Sequence, residues 1–207
     1  MHIAEGVLSA PVLLTGAIFS AIGIAMGLRK LEYERIPQVA VLSSTFFIAS
    51  LIHVPIGLAN IHLVLNGLMG LILGWAAFPA LLIALFLQAI LFGFGGLSVL
   101  GINTLNLALP AVLCFYLFNY AVNTKGGITL FIYGCAAGAL AISLSTLMVA
   151  LSLFAEGSAF ISLIQLMVIA HLPLMLIEGV ITGSIIVFLR QVRPELLSTS
   201  LHLSDQT

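Results

Sequence analysis

The sequence predicts an all-α polytopic membrane protein: a helical bundle with about seven transmembrane helices, its N-terminus outside and its C-terminus cytoplasmic. Three observations carry this. Of 207 residues, 62% are hydrophobic and only 6% charged, where a soluble domain carries about 25% charged residues; the mean hydropathy is +1.29. The apolar residues gather in about seven runs, each near the roughly 20 residues a helix needs to cross a bilayer. Once those runs alternate in direction, every basic residue falls on one side. So few polar side chains cannot cover a globular surface in water, so the solvent is mostly lipid. That excludes a soluble enzyme, a disordered chain and a nucleic-acid binder, and six Lys+Arg against seven Asp+Glu leave no basic face for phosphates.

The chain reads as one integral membrane domain, 1–207, with an extracytoplasmic segment 1–8, a bundle 9–190 and a cytoplasmic tail 191–207. The N-terminus has no basic n-region and its apolar stretch runs on at full length, so it is not expected to be a signal peptide. Met1 is expected to be the first residue of the working protein, with the large His2 protecting it from trimming. The first run, 9–28, stops at Arg29-Lys30-Leu31-Glu32-Tyr33-Glu34-Arg35, the main charge run. The second, 36–54, stops at Pro55-Ile56-Gly57. The third and fourth, 60–76 and 78–94, are short and joined by almost nothing at Phe78-Pro79. Gly93-Phe94-Gly95-Gly96 precedes the fifth, 102–122, and Asn123-Thr124-Lys125-Gly126-Gly127 separates it from the sixth, 127–154. The seventh is 160–189. Gly, Pro and Asn are turn punctuation of this kind. An outside N-terminus puts Arg29, Lys30, Arg35, Lys125, Arg190 and Arg193 all in the cytoplasm, as the positive-inside rule requires. Gly23 and Gly27, Gly67, Gly70 and Gly74, and Gly134 and Gly138 are spaced to share helix faces, where small residues permit close helix contact. Cys114 and Cys135 form no CxxC pair and no disulfide framework.

Ionisable and polar groups inside hydrocarbon are costly, so each is a functional hypothesis. Met1, His2, Glu5, His53, His62, Asn103 and Asn106 fall near the outer leaflet. His53 closes the second run and His62 opens the third, so a short turn holds them near each other. Asn66 is expected one helical turn below His62 on the same face. Gln88 sits in the fourth run, and His171 and Glu178 lie two turns apart on one face of the last. Imidazole is the commonest metal ligand and suits Zn, Cu, Fe, Co and Ni. A residue followed by His at a free N-terminus offers its α-amine, the His2 amide nitrogen and the His2 Nδ1 in fused chelate rings. One further ring nitrogen, for which His62 is the best-placed candidate, completes four coplanar nitrogens, the field Ni(II) and Cu(II) prefer. His53 reads as an interfacial residue or a support for the ligands, His171 as packing or a hydrogen bond inside the bundle, and His202 as solvated. Met69, Met148, Met167 and Met175 read as packing. Glu178 is protonated, paired, or faces a cavity or partner.

Absent motifs narrow the function. There is no GxxxxGK[ST] for ATP and no HExxH for an intramembrane zinc protease, and no Lys in the last run for a retinal Schiff base. A metal-binding membrane protein without its own ATPase needs a partner that has one. The alternative on these residues is a stand-alone proton-coupled secondary carrier or channel for a divalent metal, with His171 and Glu178 as the proton-linked pair. An intramembrane enzyme built on His-bound zinc has no motif behind it.

The start Met1-His2-Ile3-Ala4-Glu5-Gly6, then Leu51-Ile52-His53-Val54-Pro55, Ile61-His62 with Val64-Leu65-Asn66-Gly67-Leu68, Gln88 to Gly93 with Gly95-Gly96-Leu97 and Leu100-Gly101-Ile102-Asn103, and Leu172-Pro173-Leu174 with Glu178-Gly179 resemble the CbiM/NikM family over nearly the whole chain. These are the substrate-binding (S) components of energy-coupling factor transporters for cobalt and nickel. The resemblance implies a metal site of the Met1 amine, the His2 amide and ring nitrogens, and His62. It further implies pocket positions at Asn103, Gln88 and Glu178; the residue reading adds His53 and Asn66. Co(II) or Ni(II) is then the transported substrate, with no prosthetic group. The implied partners are a membrane coupling (T) subunit, cytoplasmic ATPase subunits and, in some members, a small accessory membrane subunit. In the family ATP use topples the S component so that its pocket opens inward. A bacterial or archaeal inner membrane is the implied location, and cobalamin biosynthesis one destination of the metal. Asn60-Ile61-His62-Leu63-Val64 matches neither the Ser-His-Pro of many cobalt members nor the Gly-His-Leu-Leu of many nickel members, so both metals stay open; the nitrogen field leans to nickel.

Overall fold

The structure, a computed structural model, describes residues 3–56 and 59–197, with backbone alone for 53–56 and 59–61. Among the described residues there are seven α-helices: α1 Ala10–Arg29, α2 Ile36–Leu51, α3 Asn66–Leu73, α4 Ala77–Phe92, α5 Leu100–Thr124, α6 Gly127–Phe154 and α7 Ile161–Val192. Pro11 and Pro37 stand in the first turns of α1 and α2, where the missing N–H costs nothing. Five stretches are long and apolar enough to cross a membrane: Ala10–Arg29, Asn66–Phe92, Leu100–Thr124, Gly127–Phe154 and Ser158–Val192. The helix α2, at 16 residues, spans about 24 Å at 1.5 Å per residue.

The 27-residue stretch Asn66–Phe92 turns back on itself. The α3 helix descends along α5: Asn66 Nδ2 donates to the Leu107 carbonyl, and Gly70 and Gly74 follow opposite Ala111 and Phe115. Gly74, at φ +55°, opens a 3₁₀ turn, Gly74–Ala76, and reverses the chain; a positive φ of this kind favours glycine. The α4 helix then rises beside α2, where Ser43 Oγ donates to the Ala80 carbonyl and Gln88 Nε2 to Ser50 Oγ. Likewise α1 runs with α5, Gly16 against Ile102 at one end and, near the other, Gly27 against Trp75, whose indole N–H donates to Tyr116 of α5. The α6 and α7 helices are antiparallel, with Gly134 on Gly183 and Gly138 on Thr182. The seven helices therefore alternate in direction.

Two expectations are corrected here. The third run does not begin as a helix: its first residues form β2 (Ala59–His62), paired antiparallel with β1 (His53–Ile56) in the register His53 with His62. Helix α3 starts only at Asn66 and has eight residues. Consequently His62 and Asn66 do not share a helical face. The boundaries of the other helices fall within about three residues of those expected.

The packing is inverted relative to a protein in water. In α1 the buried residues are Gly16, Ser20, Gly23 and Gly27, while Leu14, Ile18, Phe19 and Ile22 are exposed. In α6 and α7 the same pattern holds: small and polar residues line the contact, and Leu147, Leu151, Leu176 and Phe188 face outward. With hydrocarbon as solvent, small residues that let backbones approach supply helix association. All six basic residues lie at one end. Lys30 sits 5.8 Å over the Trp75 ring, Arg35 donates to the Ile72 carbonyl at the end of α3, and Arg190 donates to the Asn123 carbonyl at the end of α5.

Candidate metal site

At the opposite end, the segment leading into α1 is tied to the bundle at three points. The Asn103 carboxamide grips both backbone groups of Ile3, accepting from its N–H and donating to its carbonyl, each at 3.1 Å; Asn103 and Ile3 are both buried. Glu5 accepts from the Ser98 N–H at 2.9 Å, and its own N–H donates to the Gly95 carbonyl. That Ser98 amide is the main reason the Glu5 carboxyl lies below the usual carboxylate range. Gly96, at φ +132°, lies so close under the Glu5 side chain that a Cβ there would collide with it. Finally, Ser9 gives both its N–H and its hydroxyl to one oxygen of Glu156, at 2.8 Å each. Met1 and His2, the first two expected ligands, lie outside the described residues, as does His202.

The other expected ligand, His62, ends β2, which packs against α7. It is 4% exposed, and its Nδ1 lies 2.9 Å from the Leu63 carbonyl. A carbonyl only accepts, so Nδ1 is the donor in this contact, which turns Nε2 away from it. Three residues further on, Leu65 adopts φ +52°, the single non-glycine positive φ among the described residues. Glu178, fully buried in α7, accepts from the N–H groups of Val64 and Leu65, the latter at 3.0 and 2.9 Å. Among the described residues the hydrogen-bond partners of this carboxylate are backbone amides.

The two chain segments meet on α5. Asn103 holds Ile3, and one turn along the same face the Leu107 carbonyl accepts from Asn66, a rise of roughly 6 Å. Asn66 also donates to Ser145 Oγ in α6, at 2.8 Å. Gln88 is drawn instead to Ser50 in the last turn of α2, three residues before the β hairpin begins at His53. His53 is paired with His62 through the backbone register. His171 is buried, with Nδ1 2.7 Å from the Met167 carbonyl one turn back, in keeping with a hydrogen bond inside the bundle. Among the described residues no three His, Cys, Asp or Glu side chains converge as a metal site on their own. Sequence reasoning marked Asn103 and Glu178 as polar positions but gave neither its partner, and it missed Ser50, Ser98, Ser145 and Glu156. A buried Ser at mid-helix looks the same in sequence whether it packs or binds.

Known proteins resemble this chain in sequence and in fold. The family model described as the cobalt uptake substrate-specific transmembrane region, CbiM, matches residues 2–196. A Haemophilus influenzae chain named as a metal transport protein is 40% identical over 99% of this chain and 100% of its own length. The cobalt transport protein CbiM of Sorangium cellulosum is 30% identical over 95% and 94%. A crystal structure of a transition metal transporter superposes with a TM-score of 0.76 at 26% identity, covering 99% of this chain and 100% of that one.

Proposed function

This chain belongs to the CbiM family, and from that membership we propose how it takes up its ion: Co(II) or Ni(II) is captured at an extracytoplasmic site formed by the Met1 α-amine, the amide nitrogen and Nδ1 of His2, and Nε2 of His62. The protein is a multi-pass, substrate-specific transmembrane component of cobalt/nickel uptake. In this reading a membrane coupling subunit and cytoplasmic ATPases act on it to deliver the ion inward, since the chain carries no nucleotide motif of its own. An accessory membrane subunit joins where capture requires it. The observation that carries the site is the shared face of α5, where Asn103 holds the residue after His2 and Leu107 holds the helix start four residues after His62. That arrangement supports bringing two distant nitrogen-bearing segments to one ion. The positive end supports a cytoplasmic placement for the C-terminus, and hence an outer mouth.

The test is metal content by mass spectrometry of the full chain purified with an untagged N-terminus, beside a version with one residue added before Met1 and beside His62→Ala. About one Co or Ni per chain, lost in both variants, is the expected result and names the metal. Full occupancy in the extended chain removes the amine from the ligand set. An absence of metal in all three, together with proton-driven transport by the chain alone in liposomes, overturns the reading in favour of a His171–Glu178 carrier.

A further inference from the structure

Glu178 reaches across from α7 to a part of the chain 113 and 114 residues away, and it takes hold of backbone rather than of a side chain. Two consecutive N–H groups converge on its carboxylate, the concave arrangement by which backbone amides bind anions. The second belongs to Leu65, whose left-handed conformation a leucine adopts rarely. That turn lies between His62 and α3, so it fixes the direction in which β2 delivers the imidazole. The carboxylate is fully buried. We infer that Glu178 is a positioning residue for His62, acting through the Val64–Leu65 backbone to hold Nε2 where the ion binds. The inference rests on His62 being a ligand of the transported ion. It assigns Glu178 neither metal contact nor proton transfer.

The experiment uses the full chain in detergent with an untagged N-terminus and Ni(II) alone as the probe, measured by chelator competition. The variants are Glu178→Gln, His62→Ala, their combination, and Leu65→Gly in the Glu178→Gln background. A glutamine can accept from one amide, but its own NH₂ then meets the other. The expected loss in Glu178→Gln is about 10–100-fold in affinity, the size seen when a group behind a metal ligand is removed. The double variant is expected to be no weaker than His62→Ala. Leu65→Gly is expected to recover much of the loss, because glycine holds φ +52° without a clamp. Additive losses in the double variant, or wild-type affinity in Glu178→Gln beside a clear loss in His62→Ala, overturn the inference while leaving the ligand set intact. Wild-type affinity in His62→Ala overturns the ligand set and the inference with it. Should Glu178→Gln fail to fold, Glu178→Asp carries the same cycle: one methylene shorter, it reaches one amide at a time, and an additive loss again refutes the coupling.

Discussion

Asn103 does with one carboxamide what a neighbouring strand does with its backbone, pairing with both the N–H and the carbonyl of Ile3. In the buried surroundings of Ile3, a backbone group deprived of its partner costs about 1–3 kcal/mol. Asn103→Ala removes both partners and is expected to release the segment before α1 while sparing α5. Asn103→Asp keeps the acceptor and loses the donor, so its effect is expected to be intermediate. Hydrogen exchange of metal-free protein, followed by mass spectrometry over residues 3–9, checks this: exchange should rise in the order wild type, Asp, Ala, with the Leu100–Thr124 helix unchanged. Unaltered exchange in Asn103→Ala would show that the Ser98 and Glu156 ties suffice alone. An Asn inside an apolar run announces that something needs a hydrogen bond. Its partner, 100 residues away, is beyond any local pattern.

Helix α3 is the element on which the proposed site stands, and eight residues are too few to anchor it by length. Its hold comes from glycine. A Cβ at Gly70 would fall 2.1 Å from the Ala111 carbonyl oxygen, and one at Gly67 2.8 Å from Gly138 Cα, backbone atoms that cannot swing aside. Gly70→Ala is therefore expected to lower stability by at least the 1–3 kcal/mol typical of overpacking, read as an earlier thermal unfolding in detergent. Gly126→Ala, with nothing within 4 Å of the added carbon, is the comparison without a clash and should lose less, since it alters only the N-cap of α6. This element also marks the limit of the sequence. The other helices were legible because hydropathy and Gly/Pro punctuation mark where an apolar run starts and stops. Asn60 to Leu65 is equally apolar whether strand or helix, and a short run of this kind carries no periodicity to decide between them. The β-branched Ile61 and Val64 were the only hint. Leu65, the left-handed residue, had none, because its conformation is held by Glu178 from α7 rather than by anything nearby in the chain.

For the whole molecule the decisive property is the separation of its two ends. The strap before α1, the β hairpin and Glu156 occupy one end; Arg29, Lys30, Arg35, Lys125, Arg190 and Arg193 occupy the other. A sequence count of basic residues anticipated that separation, and the alternating helices give it a physical basis. Its direction across the bilayer is open to chemical labelling. Ser158, between α6 and α7, and Lys125, between α5 and α6, are both exposed and lie at opposite ends. Cys114 is buried and Cys135 sits in the α6–α7 contact, so neither native thiol competes for an aqueous reagent. A membrane-impermeant maleimide applied to intact cells is expected to label Ser158→Cys and not Lys125→Cys, and to label both after permeabilisation. The reverse pattern would put the histidine end in the cytoplasm. A site there would meet the ion only after it had already crossed, so capture for uptake depends on this one direction as strictly as it does on the ligands.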